Sequence, residues 1–289
     1  MSFLRKLFLP ITAPIGFIQN HFKAVLFVTV VIFLLSSSDP KNLQKPNLQK
    51  IDLIGTILDA QDILAKIEKA KNDKNIKGVL LNVNSPGGAV APSVEIYYAI
   101  KDLSKTKPVV AYASGIMASG SYYSSIGATK IVANPGSMIG SIGVIMQSID
   151  ASELMKTIGI KTQTVKAGKY KEVGTPTRSW TKTEKDELNK VIQSTYDMFV
   201  KDVEKERKLQ KIDKTLYADA HIFTAIQAQK VGLVDEVAPL LVAKKELEIL
   251  SKVAKPIWAK EDKLDRLVQK LVNSSITHIT NNMNQLMAY

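Results

Sequence analysis

From residue 51 onward the chain alternates between short apolar runs and amphipathic segments. IDLIGTI (51–57), GVLLNVN (78–84), PVVAYAS (108–114), TKIVANP (129–135) and SIGVIMQ (141–147) have strand length and carry many β-branched residues, so each predicts a strand. Between the first two, residues 59–72 place Ile63, Leu64, Ile67 and Ala70 at helical spacing. Residues 92–103 do the same with Val94, Tyr97, Tyr98 and Ile100. A strand that is apolar along most of its length has no solvent face. Such strands, separated by helices, predict an α/β fold with a parallel sheet covered by helices.

Two longer periodic segments follow. Over 181–209 the positions Leu188, Val191, Ile192, Tyr196, Phe199, Val200 and Val203 fall on one helical face. Thr181 followed three residues later by Glu184 predicts a capping box at the start of that helix. Over 264–287 a second stripe runs through Leu264, Leu267, Val268, Leu271, Ile276, Ile279, Met283 and Leu286, which predicts a C-terminal amphipathic extension over 261–289. An ordinary packed helix, an oligomer contact and a membrane-surface helix all fit this stripe.

The N-terminus has a different pattern. Residues 24–38 carry no charge. As a helix they span about 22 Å, short of a hydrocarbon core of about 30 Å. Phe22 and the stem of Lys23 lengthen the apolar stretch, whereas Pro10 and Pro14 break the apolar residues upstream. A buried core helix and a cleaved signal peptide ending near Ser36 or Ser38 are the alternatives. The n-region, running to Lys23, is long for a signal peptide. The expected organisation is a cytoplasmic stub and one N-terminal transmembrane helix (1–38), a proline-containing linker (39–50), a globular domain (51–260) and the extension. Arg5, Lys6 and Lys23 before the span are matched by Lys41, Lys45 and Lys50 after it. The positive-inside count therefore leans only slightly toward a cytoplasmic N-terminus.

With 289 residues, 45% hydrophobic and 23% charged, the chain has the composition of a globular protein with a sizeable core. It contains no cysteine. That excludes disulfides, thiolate metal sites, iron–sulfur clusters and cysteine-based catalysis. The net charge is 39 − 27 = +12, which raises nucleic acid or anionic lipid as a partner. The most charged stretch, 181–211, nets only 8 − 7 = +1 and predicts a solvated helix face. No nucleic-acid recognition module is present, so no nucleic acid is expected.

The three histidines are His21, His221 and His278. None belongs to an HExxH motif or a paired spacing, so neither a catalytic metal nor a cofactor is expected. A Ser–His–Asp triad would have to use His221. A serine nucleophile can instead take lysine as its base, where burial removes a proton whose ordinary pKa is about 10.4. Two Gly-rich turns at strand ends could supply an oxyanion hole: Asn84-Ser85-Pro86-Gly87-Gly88 and Met117-Ala118-Ser119-Gly120-Ser121. Backbone N–H groups reach a substrate most easily where no Cβ intervenes. Taken singly, the first is as well explained as a plain turn and Ser119 as a small packing residue.

In order along the chain, GVLLNVNSPGG, ASGIMASGSYYSS, ANPGSMIGSIGVI, AGKYKEVGTP and ADAHIFTAIQAQKVGLVDEV resemble the protease IV / signal peptide peptidase A family. The likeness covers about residues 51–240. The serine turns are also similar to those of Clp protease and the crotonase-like fold. The resemblance implies a Clp/crotonase-like fold and a membrane-anchored serine endopeptidase that degrades released signal peptides and other apolar peptides. It implies Ser119 as nucleophile, Lys171 as general base with Lys166 and Lys169 as competitors, and Ser141 as the residue orienting the lysine. Gly88 and Gly120 become the oxyanion donors. It also implies a ring- or dome-shaped homo-oligomer at the lipid bilayer, single-pass in a bacterial inner membrane, with the catalytic domain on the periplasmic side. The family often has Gly-Arg where this chain has Ala220-His221. A crotonase-type enzyme acting on acyl thioesters and a catalytically inactive scaffold are the competing readings.

Overall fold

A computed structural model describes residues 21–36 and 45–260. The chain divides into two units, Met1–Lys45 and Pro46–Tyr289. In the first unit, α1 (Phe22–Ser36) has 15 residues, with no acidic residue in its first turn and no basic residue in its last. Among the described residues no helix is long and apolar enough to cross a membrane. The predicted extension over 261–289 and the rest of the N-terminal segment lie outside the described residues.

The second unit is built on a seven-stranded sheet. Its strands are β1 (Leu48–Ile54), β2 (Gly78–Ser85), β3 (Val109–Ala118), β4 (Lys130–Ala133), β5 (Met138–Gly140), β6 (Ile222–Thr224) and β7 (Glu236–Val237). The order is β1-β2-β3-β4-β7, and β5 pairs with β3 and β6. Every pairing is parallel except β5 with β6. The period-two rule divides each central strand between two cores. Val79, Leu81 and Val83 of β2 and Val109, Ala111 and Ala113 of β3 enter one cluster; Leu80, Val110 and Tyr112 enter the other. The first packs beneath α2 (Gln61–Asn72), α3 (Val90–Ser104), α4 (Gly120–Ser125), the C-terminal half of α6 (Lys182–Arg207) and α7 (Ala225–Lys230), whereas α5 (Ser152–Thr157) buries no residue. The second is covered by α8 (Leu240–Leu250), through Ala243 and Leu247.

The structure departs from the sequence expectations in three places. β1 starts at Leu48, inside the expected linker, because Asn47 is tied to the far end of the domain. Its side chain donates to Lys255 O (2.9 Å) and accepts from Ile257 N (2.8 Å), and Leu48 bridges Trp258. The strand expected over 141–147 is instead β5, ending at Gly140, with residues 141–150 outside any element. The charged run on α6 is not simply solvated. Glu206 accepts from Tyr97 (2.9 Å) and Lys101 (2.6 Å), Glu204 accepts from Tyr217 (2.8 Å), and Asp202 accepts from Tyr123. These bonds, with the stacked rings of Tyr97, Tyr123 and Phe199, fasten the C-terminal half of α6. Phe199, Val200 and Val203 are buried there, whereas Val191 in the N-terminal half is exposed. The predicted capping box is present.

Candidate active site

Parallel strands bring their carboxyl ends to one edge of a sheet, where ligands generally bind. Between β2 and β3 the register jumps from Val83↔Ala113 to Ser85↔Met117, leaving extra residues on β3. Asn84 fills the irregularity by accepting the N–H of Ile116 (3.0 Å). The offset lets the end of β3 meet the Ser85–Gly88 turn. Ser119 follows directly, at φ 52° and ψ −124°. An L-residue pays strain for that conformation. It is held by Ser119 N–H donating to Gly140 O (2.8 Å) and by Tyr123 N–H donating to Ser119 O (3.0 Å). The Ser119 side chain is half-buried and has no hydrogen-bond partner among the described residues.

The two glycine turns abut. Gly88 forms a parallel bridge with Ile57, pinned by Ile57 N–H to Gly87 O (2.9 Å) and Ala89 N–H to Ile57 O (2.8 Å). A Cβ on Gly120 would lie 3.3 Å from Gly88 N, so the two amides are neighbours. Neither amide is bonded within the described residues. A cluster of buried hydroxyls lies beneath them. Ser85 Oγ accepts from Gly87 N–H (3.2 Å), Ser121 Oγ lies 2.6 Å from Ser85 O and accepts the Ala118 N–H, and Ser93 Oγ donates to Ala89 O (2.8 Å). Sequence reasoning missed this supporting role; the signal available was the density of serines around the glycines. The cleft beside Ser119 is walled by Val90, Tyr123, Val144, Thr195 and Phe199.

Ala118 and Gly140 are register partners, so Ser119 and Ser141 leave adjacent strands together. Ser141 is also left-handed (φ 51°), and its N–H donates to His221 O (2.7 Å). The His221 contribution seen here is that carbonyl. Its ring is exposed, is tilted against Phe223 and does not line the cleft. Asp219 (φ 55°) and Ala220 (φ 58°) precede it, and Tyr196 Oη donates to Asp219 (2.8 Å). Ala220 occupies the glycine position of the family pattern in the left-handed conformation that glycine suits, at a cost of about 1 kcal/mol.

The structure does not bring Lys171 to this cleft. Neither Lys171 nor Ser141 lines it. Lys171 is exposed, its N–H donates to Gly168 O (3.3 Å), and its amine has no partner among the described residues. The burial expected of a lysine base is therefore missing in the single chain. Of the competitors, Lys166 pairs with Glu172 and Lys169 sits over the Tyr170 ring.

Glu172 leads to an ionic hub. Arg178 donates to Glu172 (3.2 Å) and, through both Nη atoms, to Glu184 (2.7 and 2.9 Å). Glu184 is buried at the N-terminus of α6, where it also accepts from Thr181 N–H (2.8 Å). The Arg178 guanidinium, helped by that N–H, lowers its carboxyl from 4.5 to about 2. A depressed folded-state value means that the pairing stabilises fully above about pH 4.5 and is lost as pH falls toward 2. The stability gap between wild type and Glu184→Gln should therefore be constant above about pH 5 and narrow below about pH 4. Urea unfolding followed by Trp180 fluorescence in a Trp258→Phe background measures it; a gap independent of pH would rule out ionic pairing.

Comparison with known proteins agrees with this geometry. The family Peptidase family S49 matches residues 101–254, a span that includes Ser119, Ser141 and Lys171. A candidate protease of Methanocaldococcus jannaschii is 46% identical over 199 residues, covering 68% of this chain and 64% of that protein. The chloroplastic serine protease SPPA of Arabidopsis thaliana is 31% identical over 187 residues, covering 64% of this chain and 28% of its own length. Protease 4 of Haemophilus influenzae is 30% identical over 203 residues, covering 65% and 32% respectively. The matched region thus spans less than two thirds of each of these relatives. A strained serine at a strand-to-helix turn, sharing a cleft with paired glycines, is the arrangement of a serine hydrolase. This chain belongs to peptidase family S49, the family of signal peptide peptidase A and protease IV.

Proposed function

We propose that the chain is a serine endopeptidase that cleaves apolar peptides, released signal peptides among them, with Ser119 as nucleophile and Lys171 as general base. The observation that carries this reading is the Ser119 side chain on its strained turn beside the amides of Gly88 and Gly120, none of the three bonded among the described residues. Ser119 Oγ attacks the scissile carbonyl as its proton passes to the Lys171 amine. The two amides stabilise the oxyanion by about 3 kcal/mol per donor. The C–N bond breaks, the lysine returns its proton to the leaving amine, and water hydrolyses the acyl-enzyme. The apolar wall of the cleft supports an apolar side chain in the substrate.

For this chemistry the Lys171 amine must reach Ser119 in the working assembly, which the reading takes to be a homo-oligomer. In its favour, the segment carrying Lys171 leaves Ile145, Ile149, Leu154, Ile158 and Val165 exposed. Ser141 would orient the amine. The same reading makes α1 a membrane anchor, supported by its exposed Phe22, Leu26, Phe27 and Val28, with the catalytic domain on the outer side of the membrane. The test is labelling of the full chain with a fluorophosphonate probe, followed by peptide mapping. Modification should fall on Ser119 and vanish in Ser119→Ala; absence of labelling, or labelling elsewhere, would overturn the nucleophile assignment.

A further inference from the structure

We propose that Arg178 is a positioning residue for Lys171, acting through Glu172; this rests on the role given to Lys171 above. The argument runs outward from the core. The C-terminal half of α6 is anchored by Phe199, Val200 and Val203, and its N-terminus holds the buried Glu184 carboxylate through the capping box. Arg178 grips both oxygens of that carboxylate and extends one Nη to Glu172, which is covalently next to Lys171. Lys166 pairs with the same Glu172 oxygen, Oε2, that Arg178 binds. The turn bearing Lys171 also receives the Trp180 indole N–H at Thr175 O (2.8 Å), and Ala151 N–H donates to Pro176 O (2.8 Å).

No apolar core fixes this turn: the side chains of Lys169, Tyr170 and Lys171 are exposed. Its position is therefore set by the ionic hub. The hub carries two cations, Lys166 and Arg178, and two carboxylates, Glu172 and Glu184, so it is neutral as a unit. The Glu172 carboxylate is occupied by these cations. A planar guanidinium can bridge two carboxylates in a fixed geometry, whereas an ammonium is a point charge without that fork.

The experiment compares Arg178→Lys and Glu172→Gln with wild type, Ser119→Ala and Lys171→Ala in the full chain. It measures kcat and KM on an apolar peptide, the rate of fluorophosphonate labelling, and the melting temperature. Misplacing the base should lower kcat and the labelling rate about 10- to 100-fold while KM stays within about twofold. Melting should stay within about 2 °C in both variants, because Arg178→Lys keeps a cation beside the buried Glu184 and Glu172→Gln leaves the Arg178–Glu184 pair in place. Two results overturn the inference while leaving the dyad standing: normal kcat and labelling in both variants although Lys171→Ala is inactive, or a loss accompanied by a fall in melting temperature of more than about 5 °C in both. Full turnover in Lys171→Ala removes the dyad reading and this inference together.

Discussion

Replacing Ser119 or Lys171 by alanine should abolish peptide hydrolysis and leave the fold standing. The Ser119 side chain makes no hydrogen bond among the described residues, and its strained backbone is fixed by Gly140 O and by Tyr123 N–H rather than by its side chain. Lys171 is exposed, and its amine makes no bond among the described residues. Neither truncation leaves a cavity or an unpaired buried charge, so stability should change by less than about 0.5 kcal/mol. Catalysis has no such tolerance. In serine peptidases loss of the nucleophile or its base costs up to about six orders of magnitude, and losing both costs little more than losing one. The double variant should therefore be no worse than either single one. His221→Ala should keep most activity, since the bond it makes to Ser141 uses its carbonyl. Peptide turnover with circular dichroism as the folding control decides the matter. A folded Ser119→Ala or Lys171→Ala with near-normal turnover would remove that residue from the mechanism, and an inactive but folded His221→Ala would restore the triad.

The second large effect is steric. A methyl group on Gly88 would sit 2.1 Å from Ile57 O and 2.7 Å from Ile57 N. Both atoms are backbone and both are already bonded, to Ala89 N–H and Gly87 O. The turn has to open, and with it the Gly88 amide leaves its place beside Gly120. Gly88→Ala should lower kcat by about 100-fold or more, as loss of an oxyanion donor does, and should also lower the melting temperature. A methyl group on Gly120 meets a different obstacle, Ser93 Oγ at 2.3 Å, the end of a short side chain. Gly120→Ala should be damaging alone and partly recovered in Gly120→Ala/Ser93→Gly, while the same second change should do nothing for Gly88→Ala. Measuring kcat and melting temperature across this set separates the two cases. A Gly88→Ala enzyme within about threefold of wild type would show that its amide is no donor.

What could be read in advance divides along physical lines. β2 and β3 are legible because Val79–Leu81 and Val109–Ala113 are apolar on both faces, and a strand buried twice writes itself as a continuous run. The start of α6 was legible because a capping box is a contact between residues three apart. The start of β1 is hidden in the sequence because Leu48 stands among polar residues and prolines, and its partner Trp258 is distant in the chain. The run after Ser141 reads as a strand by composition, yet the Ser141 N–H goes to His221 O and the following residues have no strand beside them. In the site, the glycine turns stood out as motifs, but the left-handed backbone at Ser119 and Ser141 did not. Only the resemblance points to Lys171; a single chain in isolation supplies neither the burial nor the contact with Ser119.

The Asn47 clamp has a topological corollary. Asn47 binds Lys255 O and Ile257 N across |i−j| of 208 and 210 residues, and Ala259 N–H donates to Leu48 O (2.8 Å). The first and last described residues of the second unit therefore lie side by side. The linear order of its elements is then dispensable: a short tether from residue 260 to residue 46, with new ends cut at the exposed turn near Lys211, gives a circular permutant that keeps every strand pairing and every part of the serine cleft.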